Sequence, residues 1–409
     1  MRRLNDTRRR WFRLRARYQA ARQGPSDRRQ GRAPIQERPI GLPKPKDYHQ
    51  TARAWDGAEI FTVEVDRAPW IPPKVLCFEQ NPEETLQFLA FCRDRARIRT
   101  TDHLPDTRGW IGKPRGRSRR PRISSFIDFS KVERISTAVA LIIAADYDRQ
   151  KQLISKVPPT INLLDWSDPI FTKFYQLGFF DIVGLTSRIR RDHEDDGVVR
   201  TMRIETGTNS QGLESAAEGL LKLNDTFMAG HVIPDEIAIA LNSALSEAMS
   251  NVAWHAYPAD HEFEFRHVGS WWVTATVDRE QETLTVVIYD QGATIPVTYP
   301  SKATSSRVLE FLARVRALVR RHDYDDDGAY IEAAMEYGNT QTKEPNRGKG
   351  IHDMKQVIDL CQRGRLTIHS RGGRCEYAPG QGTKRTSFPY SVGGTLIEWV
   401  IQLPEPDHA

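Results

Sequence analysis

This 409-residue chain predicts an α+β fold, on three observations. Strand-like and helix-like apolar runs alternate from about Pro73 to Gly178, a long helical pattern runs from Pro234 to Trp254, and two alternating β runs, Trp271 to Val277 and Leu284 to Tyr289, face each other across a short polar turn. The length exceeds what one core usually fills, so two domains with extended segments are expected.

Residues 1–70 read as a basic, largely disordered tail. Residues 1–32 hold twelve arginines, no lysine and two acids, a local +10 that, set against the overall +6, leaves −4 for the remaining chain. Recurrent prolines and few apolar residues leave little burial to offset ordering entropy there. Trp11, Phe12, Leu14 and Tyr18 could form a short basic amphipathic helix on a nucleic acid or acidic partner; a solvated extension is the alternative. No apolar run is long enough to span a bilayer, so a cytoplasmic, non-membrane protein is expected. Cys77, Cys92, Cys361 and Cys375 have no C-x-x-C spacing and read as reduced thiols.

From residue 71 to 190 the pattern is globular. Val75 to Phe78, Ile123 to Asp128 and Thr160 to Leu164 suit strands; Pro82 to Ile98, Ile135 to Tyr147 and Pro169 to Leu177 suit helices. The charged, proline-broken run 113–122 reads as an exposed loop and, with residues 1–32, as a candidate nucleic-acid contact. The run from Ile127 to Thr137, followed by an apolar helix and Tyr175-Gln176-Leu177-Gly178-Phe179, resembles a STAS domain, the anti-anti-sigma fold. That resemblance implies a phosphoacceptor at Thr137 or Ser136 and protein partnering or self-association through this domain. A hydroxyl there is also an ordinary helix N-cap, and the family's small-residue turn is missing. Residues 191–225 read as a linker or polar hairpin with a lead-in helix from Leu213.

The second half carries the chemistry. Glu247 and Asn251 stand one helical turn apart and project together, and His255 continues the four-residue step. A carboxylate beside a metal can deprotonate water, and a carboxamide oxygen can complete an Mg²⁺ shell. The second β run ends in Asp290-Gln291-Gly292, and Gly348-Lys349-Gly350 immediately precedes the apolar-periodic helix Ile351 to Leu360, where exposed amides could cradle phosphate. The order Glu247/Asn251, Asp290-Gln291-Gly292, Arg347-Gly348-Lys349-Gly350 resembles the ATP-binding domain of the GHKL family, which includes gyrase B, histidine kinases, MutL and the anti-sigma serine kinases, over residues 226–405.

The resemblance implies a Bergerat-type α/β sandwich. It implies that Glu247 is the catalytic base, Asn251 the Mg²⁺ ligand, and Asp290 the acceptor for the adenine amino group. Gly292 would allow close approach of backbone to the base, Arg347, Gly348, Lys349 and Gly350 would meet the phosphates of ATP, and Thr395 would support Asp290 through a hydroxyl or water. Residues 297–346 would form the ATP lid, with helices from Ser305 to His322 and Gly328 to Tyr337. Thr294 departs from the family's second glycine, which either stiffens the lid hinge or weakens nucleotide binding. His255-Ala256-Tyr257 resembles the anti-sigma kinase ending, and a hydrogen-bonded helix-end histidine is its structural reading. Asp323 to Gly328 imitates an EF-hand start, but Ala334 stands where a glutamate is required, so calcium is not expected.

Three functions fit: a slow Mg-dependent ATPase used as a conformational switch, a serine/threonine kinase of anti-sigma type acting on a STAS-domain hydroxyl, and a non-catalytic nucleotide sensor that binds nucleic acid through its arginine-rich tail.

Overall fold

The computed structural model describes residues 51–55, 60–65, 71–96, 111–112, 120, 122–123, 126–154, 160–184, 197–227, 233–302, 310–311, 313, 323–337 and 350–402. The arginine-rich segment 1–32, most of 113–122, most of the expected helix from Ser305 to His322, and Arg347, Gly348 and Lys349 lie outside the described residues.

In chain order the elements are β1 (Thr51–Trp55), β2 (Ile60–Val65), β3 (Val75–Leu76), α1 (Pro82–Ala96), β4 (Ile111–Gly112), β5 (Arg122–Ile123), β6 (Arg134–Ile135), α2 (Thr137–Ile154), β7 (Thr160–Ile161), α3 (Asp168–Leu177) and α4 (Phe179–Ile182). Then come β8 (Val199–Thr201), β9 (Glu205–Gly207), α5 (Leu213–Phe227), α6 (Asp235–Asn251), β10 (Trp271–Asp278) and β11 (Thr283–Asp290). The chain closes with α7 (Ile295–Lys302), α8 (Asp327–Tyr337), α9 (Gly350–Cys361), β12 (Gly364–Ser370), β13 (Gly373–Ala378), β14 (Gly382–Ser387) and β15 (Thr395–Gln402).

The central sheet runs β14-β13-β12-β15-β11-β10-β8, with β9 also paired to β10, and its pairs are antiparallel. Its strands form from β-branched and aromatic runs, and successive side chains alternate between faces. Trp271, Val273, Ala275 and Val277 of β10, Leu284, Val286 and Ile288 of β11, and Ile397, Trp399 and Ile401 of β15 point to one core. Ala216 and Leu220 of α5, Leu241, Leu245 and Met249 of α6, and Met354, Val357 and Ile358 of α9 cover that face.

Trp272, Val287, Tyr289 and Leu396 point to the other face, where Leu86 and Phe88 of α1, the apolar length of α2, and Ile170, Phe171 and Phe174 of α3 cover them. The sheet is therefore the middle of three layers. Double burial explains why β10 and β11 read as near-continuous apolar runs. Several polar residues on this rear face are paired: the Thr137 hydroxyl donates to Thr276 at 2.8 Å, Thr276 and Thr201 hydroxyls lie 3.1 Å apart, and the Trp272 indole N–H donates to Asp148 at 2.8 Å.

Several expectations change. Residues 51–55 and 60–65, assigned to the tail, form the antiparallel pair β1–β2 of a smaller sheet, β4-β5-β2-β1-β7, around Ala54, Val63, Ile123, Phe126 and Ile161. Where a strand is expected from Ile123 to Asp128, the described residues give β5 ending in Ile123 and, after Asp128, a 3₁₀ turn, Phe129–Lys131, which the Asp128 carboxylate caps. The linker expected between 191 and 210 contains β8 and β9, edge strands of the central sheet. Within residues 71–190, expected as a separate STAS-like α/β domain, the described residues form the short parallel pair β3–β6 beside the small sheet, and their helices use the rear of the central sheet as their partner layer. Strands β12 to β14 were not anticipated.

Thr137 is 6% exposed and engaged with Thr276, while the Ser136 hydroxyl accepts the Val139 amide at 3.3 Å, as an N-cap does. Asp327 of the EF-hand-like string opens α8, is buried, and accepts the Gly372 amide at 2.9 Å.

Because Leu396 on β15 is fully buried against the α1–α3 layer, Leu396→Ala should cost about 2–5 kcal/mol. Chemical denaturation followed separately by probes placed on α2 and on β13 should give coincident transitions, both shifted by the substitution, since both layers are built on the same sheet.

Candidate functional site

Helix α6 begins after Pro234, whose carbonyl accepts the Ile237 and Ala238 amides, and Asp235 and Glu236 complement its positive end. Its apolar stripe docks on the front of the sheet, leaving Glu247 and Asn251 half-buried on the opposite edge. The Asn251 Nδ2 donates to Glu247 Oε1 at 3.2 Å, which fixes the carboxamide with its oxygen uncommitted to Glu247. Burial pushes the Glu247 carboxyl above the ordinary range, the Asn251 bond partly opposes this, and the neighbouring Asp353 charge adds to it. Asp353 lies in the first turn of α9, so the helix that starts at Gly350 is packed beside Glu247.

Past Asn251 the backbone widens into a π turn, Val252–Ala256. His255 therefore does not continue the four-residue step of Glu247 and Asn251, because the wider turn changes the angle per residue. The turn has a different use: the Ala256 carbonyl accepts the Ala293 amide at 2.6 Å, joining the end of α6 to the segment after Asp290. Gly292 is tied to that joint. A Cβ built on it would strike the Ala256 carbonyl and methyl, so the crowding that demands glycine comes from the protein's own backbone. Tyr257 completes the joint. Its hydroxyl accepts the Gln291 amide at 3.0 Å and donates to the Ser270 carbonyl at 2.7 Å.

Asp290 ends β11 opposite Thr395 of β15 and Trp271 of β10. It is 7% exposed, and its carboxylate accepts the Gly292 amide at 2.8 Å and the Thr395 backbone amide. Burial pushes its pKa up from 3.8 to about 7, against those two amides. Thr395 thus meets Asp290 through its backbone. Its hydroxyl lies 2.8 Å from the Ser370 hydroxyl, which also accepts the Ile295 amide at 2.9 Å. Ser370 is a member of the site that sequence reasoning missed; its only signal was the register of β12, a strand not foreseen. Gly394 sits so close to the Asp290 carbonyl that no side chain fits there.

Thr294 caps α7 through its carbonyl, which accepts the Val297 and Thr298 amides at 3.0 Å. Its hydroxyl is buried without a partner among the described residues. The structure thus brings Asp290, Gly292, Thr294 and Thr395 into one cluster, and joins it through Ala256 to the helix that carries Glu247 and Asn251. Gly350 is placed at the start of α9.

A nucleotide with a divalent cation fits this set. Asn251 and Glu247 offer hard oxygen donors, and the Asp290 carboxylate receives only amides that leave it electron-rich at the end of a sheet.

Asp290 supplies a pH test. Its folded-state value is raised, so the stabilisation from this group is full below about pH 4 and is lost as pH rises through about 7. Thermal unfolding of the ligand-free protein should show wild type losing ground to Asp290→Asn across that window; a constant difference between them would contradict the assignment.

Residues 213–374 match the family model described as the histidine kinase-like ATPase domain. The match begins at α5, earlier than the expected residue 226, and ends in β13, so it contains Glu247, Asn251, Asp290, Gly292 and the segment 347–350 but not Thr395. It does not extend over residues 71–190. No curated protein matches the chain. Residues 213–374, which carry α5, α6, α9 and β10 to β12, are thus similar to a GHKL-type ATPase domain, set in a longer chain whose remaining residues the match does not cover.

Proposed function

We propose that the protein binds Mg-ATP between α6, α9 and the Asp290 end of the sheet, and hydrolyses it slowly to drive a conformational switch. The single observation that carries this is the joint at Ala256. One hydrogen bond ties the helix bearing Glu247 and Asn251 to the loop bearing Asp290, as a ligand with a base at one end and phosphates at the other requires.

In this reading Asp290 accepts the exocyclic amino group of adenine. That donated hydrogen bond favours the charged carboxylate and draws its pKa back below 7. Asn251 offers its carboxamide oxygen to Mg²⁺, and residues 347–350 with the start of α9 offer amides and two cationic side chains to the phosphates. The ion, when bound, neutralises phosphate charge and helps orient an attacking water. Glu247 orients that water and takes its proton. Partial burial and the Asp353 charge raise its basicity toward neutrality, where a general base works best. Lid closure over residues 297–346 on nucleotide binding would convert ligand contacts into a change of shape.

For the kinase alternative, burial of Thr137 against Thr276 weighs against that hydroxyl as an internal acceptor, whereas Ser136 is half-buried and caps α2, so it stays the candidate acceptor of that reading. Transfer to a separate partner, and nucleic-acid contact through the arginine-rich tail, have no specific support in the described residues.

With γ-labelled ATP and Mg²⁺, label should appear as free phosphate, with none retained on the protein. Glu247→Ala should keep nucleotide affinity and lose turnover by about 10²–10⁴-fold, whereas Asn251→Ala should lose Mg-dependent affinity. Equal turnover by wild type and Glu247→Ala would remove the carboxylate from the chemistry.

A further inference from the structure

The adenine end of the proposed pocket is held from behind, by residues that lie outside the matched region. Gln291, between Asp290 and Gly292, sends its side chain to α2 on the rear of the sheet. There its Nε2 donates to Asp146 Oδ1 at 2.8 Å. Asp146 is 9% exposed and is itself held by Arg149, whose guanidinium lies 3.4 Å from the same oxygen and donates to the Arg266 carbonyl at 3.0 Å. Gln291 is thus pinned at both ends, its backbone amide on Tyr257 and its side chain on Asp146.

The facing strand is braced in the same way. Arg93 of α1, 5% exposed, donates to the Val392 carbonyl at 2.6 Å and to the Ser391 carbonyl, and its guanidinium fills the space above Gly393. The Tyr289 hydroxyl lies 3.3 Å from the Val392 and Gly393 carbonyls. Residues 391–394 lead directly into Thr395, whose amide reaches the Asp290 carboxylate. Two buried charged side chains of the rear layer therefore grip the two backbone segments that flank Asp290.

We propose that Asp146, acting through Gln291, and Arg93, acting through residues 391–393, are positioning residues of the nucleotide site that set its selectivity for adenine. This rests on the ATP reading above and adds to it. Neither residue touches ligand. They hold the Asp290 carboxylate and its supporting amides in register, so their effect falls on recognition of the base, while binding of the triphosphate is untouched. The guanidinium reaches the two carbonyls from two nitrogens of one rigid planar fork, a geometry that a single ammonium nitrogen does not reproduce, so Arg93→Lys is a probing change.

The test measures dissociation constants of the full-length protein for ATP, GTP and inorganic tripolyphosphate, each with Mg²⁺. Asp146→Ala, Gln291→Ala and Arg93→Lys should each weaken ATP by about tenfold, the loss of one hydrogen bond to a charged group. The ATP-to-GTP preference should fall in parallel, with tripolyphosphate binding unchanged. Asp146→Asn, which keeps the accepting oxygen, should restore the preference. The Asp146→Ala/Gln291→Ala double variant should lose no more than either single change. Should Asp146→Ala fail to fold, Gln291→Ala, made on a half-buried loop residue, decides the question. If wild type binds tripolyphosphate and ATP but the variants lose both equally, lose neither, or combine additively, the positioning role is overturned and the ATP reading stands. If wild type binds no adenine nucleotide, both fall.

Discussion

The register that sets Asp290 of β11 opposite Thr395 of β15 is the constraint on which the site depends. It places a carboxylate at the end of two central strands, within reach of two backbone amides and little else. Those amides stabilise the charged form, but burial outweighs them and leaves the group poised near neutrality. The close packing follows from the same crossing. Gly394 lies against the Asp290 carbonyl and Gly292 against Ala256, so two positions must lack side chains for the strands and the π turn to meet. A one-residue slip of β15 would exchange its apolar front, Ile397, Trp399 and Ile401, for Leu396 and Glu398, and the sheet would lose its core along with its pocket.

Burial of the sheet on both faces gives that register its rigidity. The front is covered by α5, α6 and α9, and the rear by α1, α2 and α3, so the strands that carry Asp290 have no solvent-facing side to relax into. The rear layer does more than cover. Its buried charges, Arg93 and Asp146, reach past the apolar contacts to the loops around Asp290. Coupling of this kind is reciprocal: whatever tightens the base end when nucleotide binds also tightens α1 and α2, and whatever loosens those helices loosens the grip on the base.

Sequence periodicity exposed the parts of this fold whose signal is local. Glu247 and Asn251 were legible because a helix puts residues four apart on one face, and β10 and β11 because their apolar runs are bounded by a polar turn. His255 was misplaced because nothing in the helical pattern announces a π turn; the cause is tertiary, the need of Ala293 for the Ala256 carbonyl. Strands β12 to β14 were passed over because Arg365, His369, Arg374, Lys384 and Arg385 interrupt their apolar pattern. Yet β12 and β13 still contribute Leu366, Ile368 and Cys375 to the front core. Strands β1 and β2 were hidden by the composition of the tail that precedes them. Gly292 and Thr395 were singled out by resemblance, and the structure places both beside Asp290; their contacts, with Ala256 and with the Asp290 carboxylate through the backbone, depend on the register of distant strands and could not be read from spacing.

The two carboxylates of the proposed pocket are both raised, yet their surroundings suit them to different tasks. Glu247 is half-buried, bonded to one side-chain amide and adjacent to another acid, so a change in ligand charge nearby can readily shift its proton. Asp290 is almost fully enclosed and held by backbone amides that cannot move without breaking the sheet, which makes it a fixed acceptor and a poor carrier of protons. On the proposed reading, environments divided in this manner suit Glu247 to chemistry and Asp290 to recognition. The fold keeps them apart by placing one on a helix face and the other on a strand end, and joins them through a single carbonyl at Ala256.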